Sequence, residues 1–383
     1  MSDEQTATGS GRSADPKKEK KGQGAQSNVE SRFLPLRTEA VDDGWSDEAQ
    51  AQEVSQRVAV ELLPDRTVNL LTRNQSPDIP FDRSINPYKG CEHGCIYCFA
   101  RPTHAYLDLS PGLDFERKIF YKTDVQAHLR QLFAKSNYRC APIAMGTNTD
   151  PYQPAERDRR VTRQILETLL EHRHPVSIVT KGQGVLRDMD LLTALAELGL
   201  VKVMVSVTTL SLKLKTGLEP RTASPNKRLA IIEALNAARI PVGAMVAPVI
   251  PFLNDAELEA IVDACVARGA RELNYILLRL PLEVAELFEE WLKLHYPLKA
   301  ERVMNVIKDT RGGKAYDAKW GQRMRGKGPF AQLLAARFQR ALKRHGLHDA
   351  KVPPLRTDLF RRQSERTIPA VLARNAQQAD LFA

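Results

Sequence analysis

Residues 176–209 read VSIVTKGQGVLRDMDLLTALAELGLVKVMVSVTT, and this stretch decides the fold. Two apolar, β-branched runs, 176–181 and 201–209, flank a segment near 185–198 whose apolar residues recur at helical spacing. Strand, helix and strand in so short a span make a parallel crossover unit. Both runs are almost continuously apolar, as strands are when helices cover both faces of a sheet. The alternation continues in both directions. Upstream, PIAMGTN at 142–148 reads as a strand, and RRVTRQILETLLEHRH after it has helical spacing. Downstream, Ser224 and Pro225 supply an N-cap and a first-turn proline for a helix through Ala238. PVGAMVAPVI at 241–250 is the next strand, and Asn254 with Glu257 resembles a capping box for a helix through Ala267. ELNYILLRL at 272–280 closes the series, followed by a helix from about 282. With one more strand in RSINPYKG before Cys91, six β/α units are expected. The expected fold class is α/β, a partial (β/α)6 TIM-type barrel.

The chain outside this pattern differs in composition. Residues 1–55 are polar and poor in large apolar side chains, so a disordered N-terminal arm is expected. The core should span 56–297. From 298 to 383 the alternation stops, and a basic, mostly helical C-terminal extension with a flexible tail is expected. Residues 298–366 hold 18 Lys/Arg against 6 Asp/Glu, a net +12 beside the whole chain's +10. A basic extension on a near-neutral body points to a polyanion, nucleic acid first; the alternative is a solvated helical surface that happens to be basic. The polar first thirty residues argue against a signal peptide, and no apolar run is long enough to suggest a membrane span. Five cysteines, three of them clustered, do not make a disulfide framework. A reducing, cytoplasmic location is expected.

The cluster lies in PYKGCEHGCIYCFARP, residues 87–102, where Cys91, Cys95 and Cys98 have the spacing C-x3-C-x2-C. A closed zinc site needs four ligands; His93 is a candidate fourth, but it sits in a loop too short to wrap a tetrahedron. Three thiolates on a [4Fe–4S] cluster leave one iron open for a non-protein ligand. Gly90 and Gly94 would let the loop turn around such a centre. Three unliganded thiols are the remaining reading. Cys140 and Cys265 read as small buried apolar residues.

This motif, with Tyr97 before the third cysteine, resembles that of radical S-adenosylmethionine (SAM) enzymes. NPYKGCEHGCIYCFAR together with TDPYQPAE at 149–156 resembles the spore photoproduct lyase-like branch, and the likeness runs from about Arg66 to the strand near 280. It implies a [4Fe–4S] cluster on Cys91, Cys95 and Cys98, and SAM as second cofactor. It implies reductive cleavage of SAM to a 5′-deoxyadenosyl radical, fed by a reductant protein. By resemblance, Tyr97 contacts adenine and Asn148, Thr149 and Asp150 hold the methionyl amino group. Lys181 meets the carboxylate, and Ser206 contacts ribose or the methionyl moiety. Each has a plainer alternative. Thr149 and Asp150 can cap the next helix, Lys181 can be a surface charge, Tyr97 can pack beside the loop, and Ser206 can be a small strand residue. One departure stands out: Thr147 occupies the place where spore photoproduct lyases carry a hydrogen-donating cysteine. An O–H bond is too strong for that role, so spore photoproduct repair by that route is not implied.

The chain ends QQADLFA, and Gln378–Phe382 resembles the pentapeptide with which bacterial repair proteins engage the DNA sliding clamp. The alternative is a tail whose Leu381 and Phe382 pack back on the body. The leading functional expectation is a radical SAM enzyme acting on nucleic acid, in DNA repair or modification. A radical SAM enzyme for a peptide or small molecule is the second. A nucleic-acid-binding protein with a structural or redox-sensing cluster is the third.

Overall fold

The computed structural model describes residues 20–29, 31–33, 60–349 and 352–363. Among them are ten strands: β1 (Glu61–Asp65), β2 (Thr72–Arg73), β3 (Arg83–Ile85), β4 (Tyr88–Lys89), β5 (Lys118–Lys122), β6 (Ile143–Met145), β7 (Val176–Thr180), β8 (Val201–Ser206), β9 (Val242–Val249) and β10 (Glu272–Leu277). The main sheet runs β10-β9-β8-β7-β6-β3-β2. From β3 to β10 the six strands are parallel and follow one another in chain order; β2 pairs antiparallel with β3. The sheet is open, with β10 and β2 as edges. Six parallel strands in sequence order are what the six β/α units anticipated.

Helices packed on one face of the sheet explain the buried apolar row of each strand. Val176, Ile178, Val201, Val203 and Val205 are buried, and they share one core with Ile165, Leu169, Leu192, Leu195 and Ile232 from the intervening helices. The helix opened by Ser224 spans Pro225–Ala237, and the Ser224 hydroxyl accepts from Lys227 N, as its N-cap role requires.

Four expectations need correction. RSINPYKG is not one strand, because Pro87 cannot donate to a ladder. It splits into β3, in the main sheet, and β4, which joins a small sheet β1-β5-β4. The Asn254–Glu257 capping box does not form. Asn254 Oδ1 accepts from Ile250 N (2.6 Å) and its Nδ2 donates to Thr208 O (2.7 Å), while Glu257 accepts from Thr209 and Leu210 N. Both side chains tie strand ends together, and the α-helix starts at Leu258 after a 3-10 turn.

Part of the arm expected to be disordered is packed: Ala25 is fully buried, and Gly24 N and Ala25 N donate to Glu116 (3.2 and 2.8 Å). This anchorage uses backbone amides of small residues, which leave no hydrophobic signal. Residue 298 is not a packing boundary either. Val303, Met304 and Ile307 share an apolar cluster with Leu278 and Leu280, and Leu334 and Phe338 join the main core. The extension's helices, Pro297–Asp309 and Gly328–Arg344, bury apolar faces on the body while their basic faces dominate the sequence.

Candidate active site at the carboxyl ends of the strands

β4 delivers the chain directly into the cysteine loop. Cys91 N donates to Phe115 O (2.9 Å), fixing the first thiol beside the small sheet. Gly90 and Gly94 have φ of +79° and +66°, and a Cβ on Gly94 would lie 2.7 Å from Glu116 Oε2. Glycine is needed there on both counts. Arg101, three residues beyond the last cysteine, is fully buried and binds the loop from beneath. It donates to Cys95 O (2.9 Å), Gly94 O (3.2 Å), Pro111 O (3.1 Å), Gly112 O (2.9 Å) and Glu116 Oε1 (2.6 Å). A planar five-donor fork suits such a task. The TDPYQPAE stretch grips the same loop: Gln153 accepts from Glu92 N (2.9 Å) and donates to Gly90 O (3.2 Å), and Glu156 accepts from Tyr88. The two motifs that carry the family resemblance are physically one unit.

Cys91 and Cys95 are buried and Cys98 is half-buried, and the three thiols lie within electrostatic reach of one another. Burial, with the neighbouring anions, pushes the Cys91 thiol well up and that of Cys95 to about 12. Such thiols ionise when a cationic centre binds them. His93 does not complete a zinc site: its Nδ1 faces Asp150 Oδ2 at 3.4 Å. Among the described residues no three carboxylate, imidazole or thiol groups converge as a single ion requires. Ligands of an iron–sulfur cluster each meet a different iron and stand farther apart. The donor set fits a three-cysteine cluster.

Facing the thiols is a buried ionic group that sequence reasoning missed. Glu219 is fully buried and accepts from Tyr97 Oη, Thr208 Oγ1 (2.7 Å) and Arg228. Burial opposes its charge, but Arg228 and Lys181 outweigh it and hold the carboxyl at about 2. Arg228 also donates to Ser206 O (3.0 Å), tying the group to the end of β8. Lys181, one residue past β7, is within reach of Cys95, Glu219 and Asp150; burial works against its ammonium, yet those anions raise its pKa. The only sequence hint of Glu219 was its position before Pro220, and Arg228 looked like an ordinary helical residue.

Of the six expected SAM contacts, the structure gathers Tyr97, Lys181 and Ser206 around Glu219 and Arg228. Tyr97 is no loose packing residue, since its hydroxyl is held by Glu219. Asp150 has both oxygens engaged: Oδ1 with Thr180 Oγ1 (2.7 Å) and Tyr152 N (2.9 Å), Oδ2 with Lys181 N (2.7 Å). Burial raises its pKa, but His93 and these donors overcome that and hold it at about 2. Thr149 is buried and donates to Tyr88 O (2.8 Å), so both residues join strand ends to the cysteine loop. Asn148 is exposed beside Asn86. Thr147 donates to Asn86 at the same end. Cys140 precedes β6, at the opposite end of the sheet, and is half-buried rather than buried; Cys265 is fully buried in its helix, as expected. A cleft beside the cysteine loop is lined by His93, Lys215, Arg221, Thr222 and Lys227. Another, at the amino ends of β8–β10, is remote from this chemistry.

The family model for the radical SAM superfamily matches residues 85–265. An uncharacterized protein of Mycobacterium tuberculosis (strain ATCC 25618 / H37Rv) is 39% identical over 232 residues, covering 60% of this chain and 68% of its own. One of Methanocaldococcus jannaschii is 28% identical over 222 residues, covering 58% and 79%. Among solved structures, a point mutant of spore photoproduct lyase aligns over 75% of this chain and 80% of its own, with a TM-score of 0.55 and 17% identity. A variant of that lyase with bound AdoMet and dinucleoside spore photoproduct aligns over 74% and 79%, with a TM-score of 0.53 and 17% identity. At that identity the likeness concerns the fold.

Proposed function

Because the chain belongs to the radical SAM superfamily, whose members use a [4Fe–4S] cluster and SAM, we propose that it is a radical SAM enzyme acting on nucleic acid, in DNA repair or modification. Cys91, Cys95 and Cys98 would hold the cluster. Such a cluster would supply the electron, drawn from a reductant protein, for reductive cleavage of SAM to a 5′-deoxyadenosyl radical. The chain's own residues bind and orient. Lys181 offers its ammonium to the SAM carboxylate, and Glu219, itself held by Arg228, keeps that ammonium charged. The Tyr97 ring packs against adenine with its hydroxyl held by Glu219, and Ser206 lines the ribose side. Asn148 is free to meet the methionyl amino group; Thr149 and Asp150 act by aligning the strand ends.

The observation that carries the enzymatic reading is the convergence of three thiols with Lys181, Tyr97 and buried Glu219 at the carboxyl end of a parallel sheet, where such folds place their chemistry. The nucleic-acid reading is supported by the charge of residues 298–366 and by a fold shared with a lyase whose structure holds a dinucleoside. Reconstituted protein should form 5′-deoxyadenosine faster when DNA or RNA is added. Stimulation by peptides or small molecules alone would favour the second expectation.

Gln378–Phe382 lies outside the described residues. If it docks a DNA sliding clamp, the Leu381→Ala/Phe382→Ala protein should lose clamp in a pull-down while cleaving SAM normally. Each side chain, fully buried, would contribute about 1.5–3 kcal/mol. Equal retention by both proteins, or none by either, ends that proposal. Among the described residues no helix is long and apolar enough to cross a membrane, and a cytoplasmic location is part of this proposal.

A further inference from the structure

Residues 311–327 lie across the open side of the main sheet. Met324 O accepts from Leu277 N (3.0 Å) at the β10 edge. Gly321 N and Arg323 Nε donate to Asp78 (2.5 and 2.6 Å), in the turn between edge strand β2 and β3. The segment is therefore a strap joining both edges, and it has six basic residues against one acidic.

How those charges are used separates the strap from the rest of the basic extension. On helix Gly328–Arg344, Arg337 pairs with Glu259 (2.6 Å) and Arg344 with Asp263 (3.2 Å), so charge there helps to pack helices. In the strap, Arg323 pairs with Asp78. Arg311 has no carboxylate within ion-pair distance among the described residues, although it is only 2% exposed. It donates to the carbonyls of Leu277, Leu278 and Gln322 and leaves Nε without a partner. Burial and the Arg279 charge lower its pKa to about 10. Asp317 is near enough to oppose this, not to pair.

Arg279, two residues past β10, is half-buried. It sits 4.0 Å over the Phe99 ring and lies within electrostatic reach of Tyr316 and Cys98. Arg325 sits 4.0 Å over Tyr275, and Trp320 is 62% exposed. Guanidinium groups withdrawn from water without a counter-charge are costly, and an anion removes that cost. Stacking on aromatic rings holds their forks flat with N–H edges outward. An exposed tryptophan among cations is a base-stacking platform.

We propose that the strap, with Arg279, is the element that docks substrate: its cationic groups take the phosphates of a single-stranded nucleic-acid segment, and Trp320 stacks on one of its bases. The proposal rests on the nucleic-acid reading and adds a location, since a phosphate beside Arg279 lies next to the cysteine loop.

The experiment is fluorescence anisotropy of a labelled single-stranded oligonucleotide with full-length, cluster-reconstituted protein over a range of salt. For wild type, log affinity should fall linearly with log salt, by about 0.7 per phosphate contact. Lys314→Gln/Lys319→Gln, both exposed and without hydrogen bonds from their ammonium groups to the described residues, should flatten that slope by about one contact or more; Arg325→Gln should do likewise. Trp320→Ala should weaken binding about tenfold. Arg340→Gln, exposed on the neighbouring helix, should leave the slope unchanged and so separate location from net charge. Wild-type slope and affinity in every strap variant would overturn the docking assignment while the nucleic-acid reading stood. Absence of salt-dependent binding by wild type, to single strand and duplex alike, would overturn both.

Discussion

Two buried arginines, at either side of the proposed chemistry, are treated in opposite ways. Arg101, under the cysteine loop, has every donor direction filled by four carbonyls and the carboxylate of Glu116. Arg311, at the root of the strap, reaches three carbonyls and, among the described residues, no carboxylate. Around Arg101 charge is neutralised internally, and what results is a rigid loop of fixed shape. At Arg311 positive charge is buried without a carboxylate partner among the described residues, while half-buried Arg279 and Arg325 lie over aromatic rings and Trp320 of the strap is exposed. The same residue type serves architecture in one region and is left for a partner in the other. Net charge alone cannot separate the two uses, because only the location of counter-charges does so.

The comparison can be broken at several points, and the largest effect is expected at the thiols. Alanine at Cys91, Cys95 or Cys98 should each abolish the cluster and SAM cleavage, checked by iron and sulfide analysis; alanine at Cys140 or Cys265 should retain both. A variant of any of the three that kept a full cluster would refute the ligand set. Next is Arg101→Met, which removes the nearest charge partner of buried Glu116 and the donor to four loop carbonyls, and should cost about 3–5 kcal/mol in denaturant unfolding. Arg325→Gln in the strap should change stability by no more than about 0.5 kcal/mol. Similar losses for the two would erase the distinction. Lys181→Ala should weaken SAM binding by about 1.5–3 kcal/mol with the cluster retained, as read by calorimetric titration; unchanged affinity would remove Lys181 from the site.

The smallest effect concerns pH. Glu219 has a folded pKa lowered from 4.5 to about 2. Its unfolded form takes up protons first, so its contribution to stability is full above about pH 4.5 and declines as pH falls towards 2. The stability difference between wild type and Glu219→Gln, from denaturant midpoints, should be constant at neutral pH and shrink below that range. A difference independent of pH would mean that the carboxylate charge is not what Arg228 and Lys181 require.

The parallel sheet was legible because β7, β8, β9 and β10 each carry a row of buried apolar side chains that recurs between helical segments, and the thiol set because spacing alone joins Cys91, Cys95 and Cys98. Glu219 and Arg228 were not legible, since a buried charge is recognised only when its partner is known, and these two are brought together by the turn that precedes helix Pro225–Ala237. Gly24 and Ala25 were missed for a different reason: their anchorage is through backbone amides, which every residue possesses. Pro87 could have been read correctly, because a proline inside a presumed strand already marks its break.

The most direct measurement of the central claim is the origin of the hydrogen in 5′-deoxyadenosine. Reconstituted protein, SAM and a reductant are incubated with DNA deuterated on its sugars and bases, and the 5′-deoxyadenosine formed is analysed by mass spectrometry. An enzyme whose radical acts on nucleic acid should yield 5′-deoxyadenosine that carries deuterium. Continued SAM cleavage with no deuterium in the product, from deuterated DNA and deuterated RNA alike, would contradict the account.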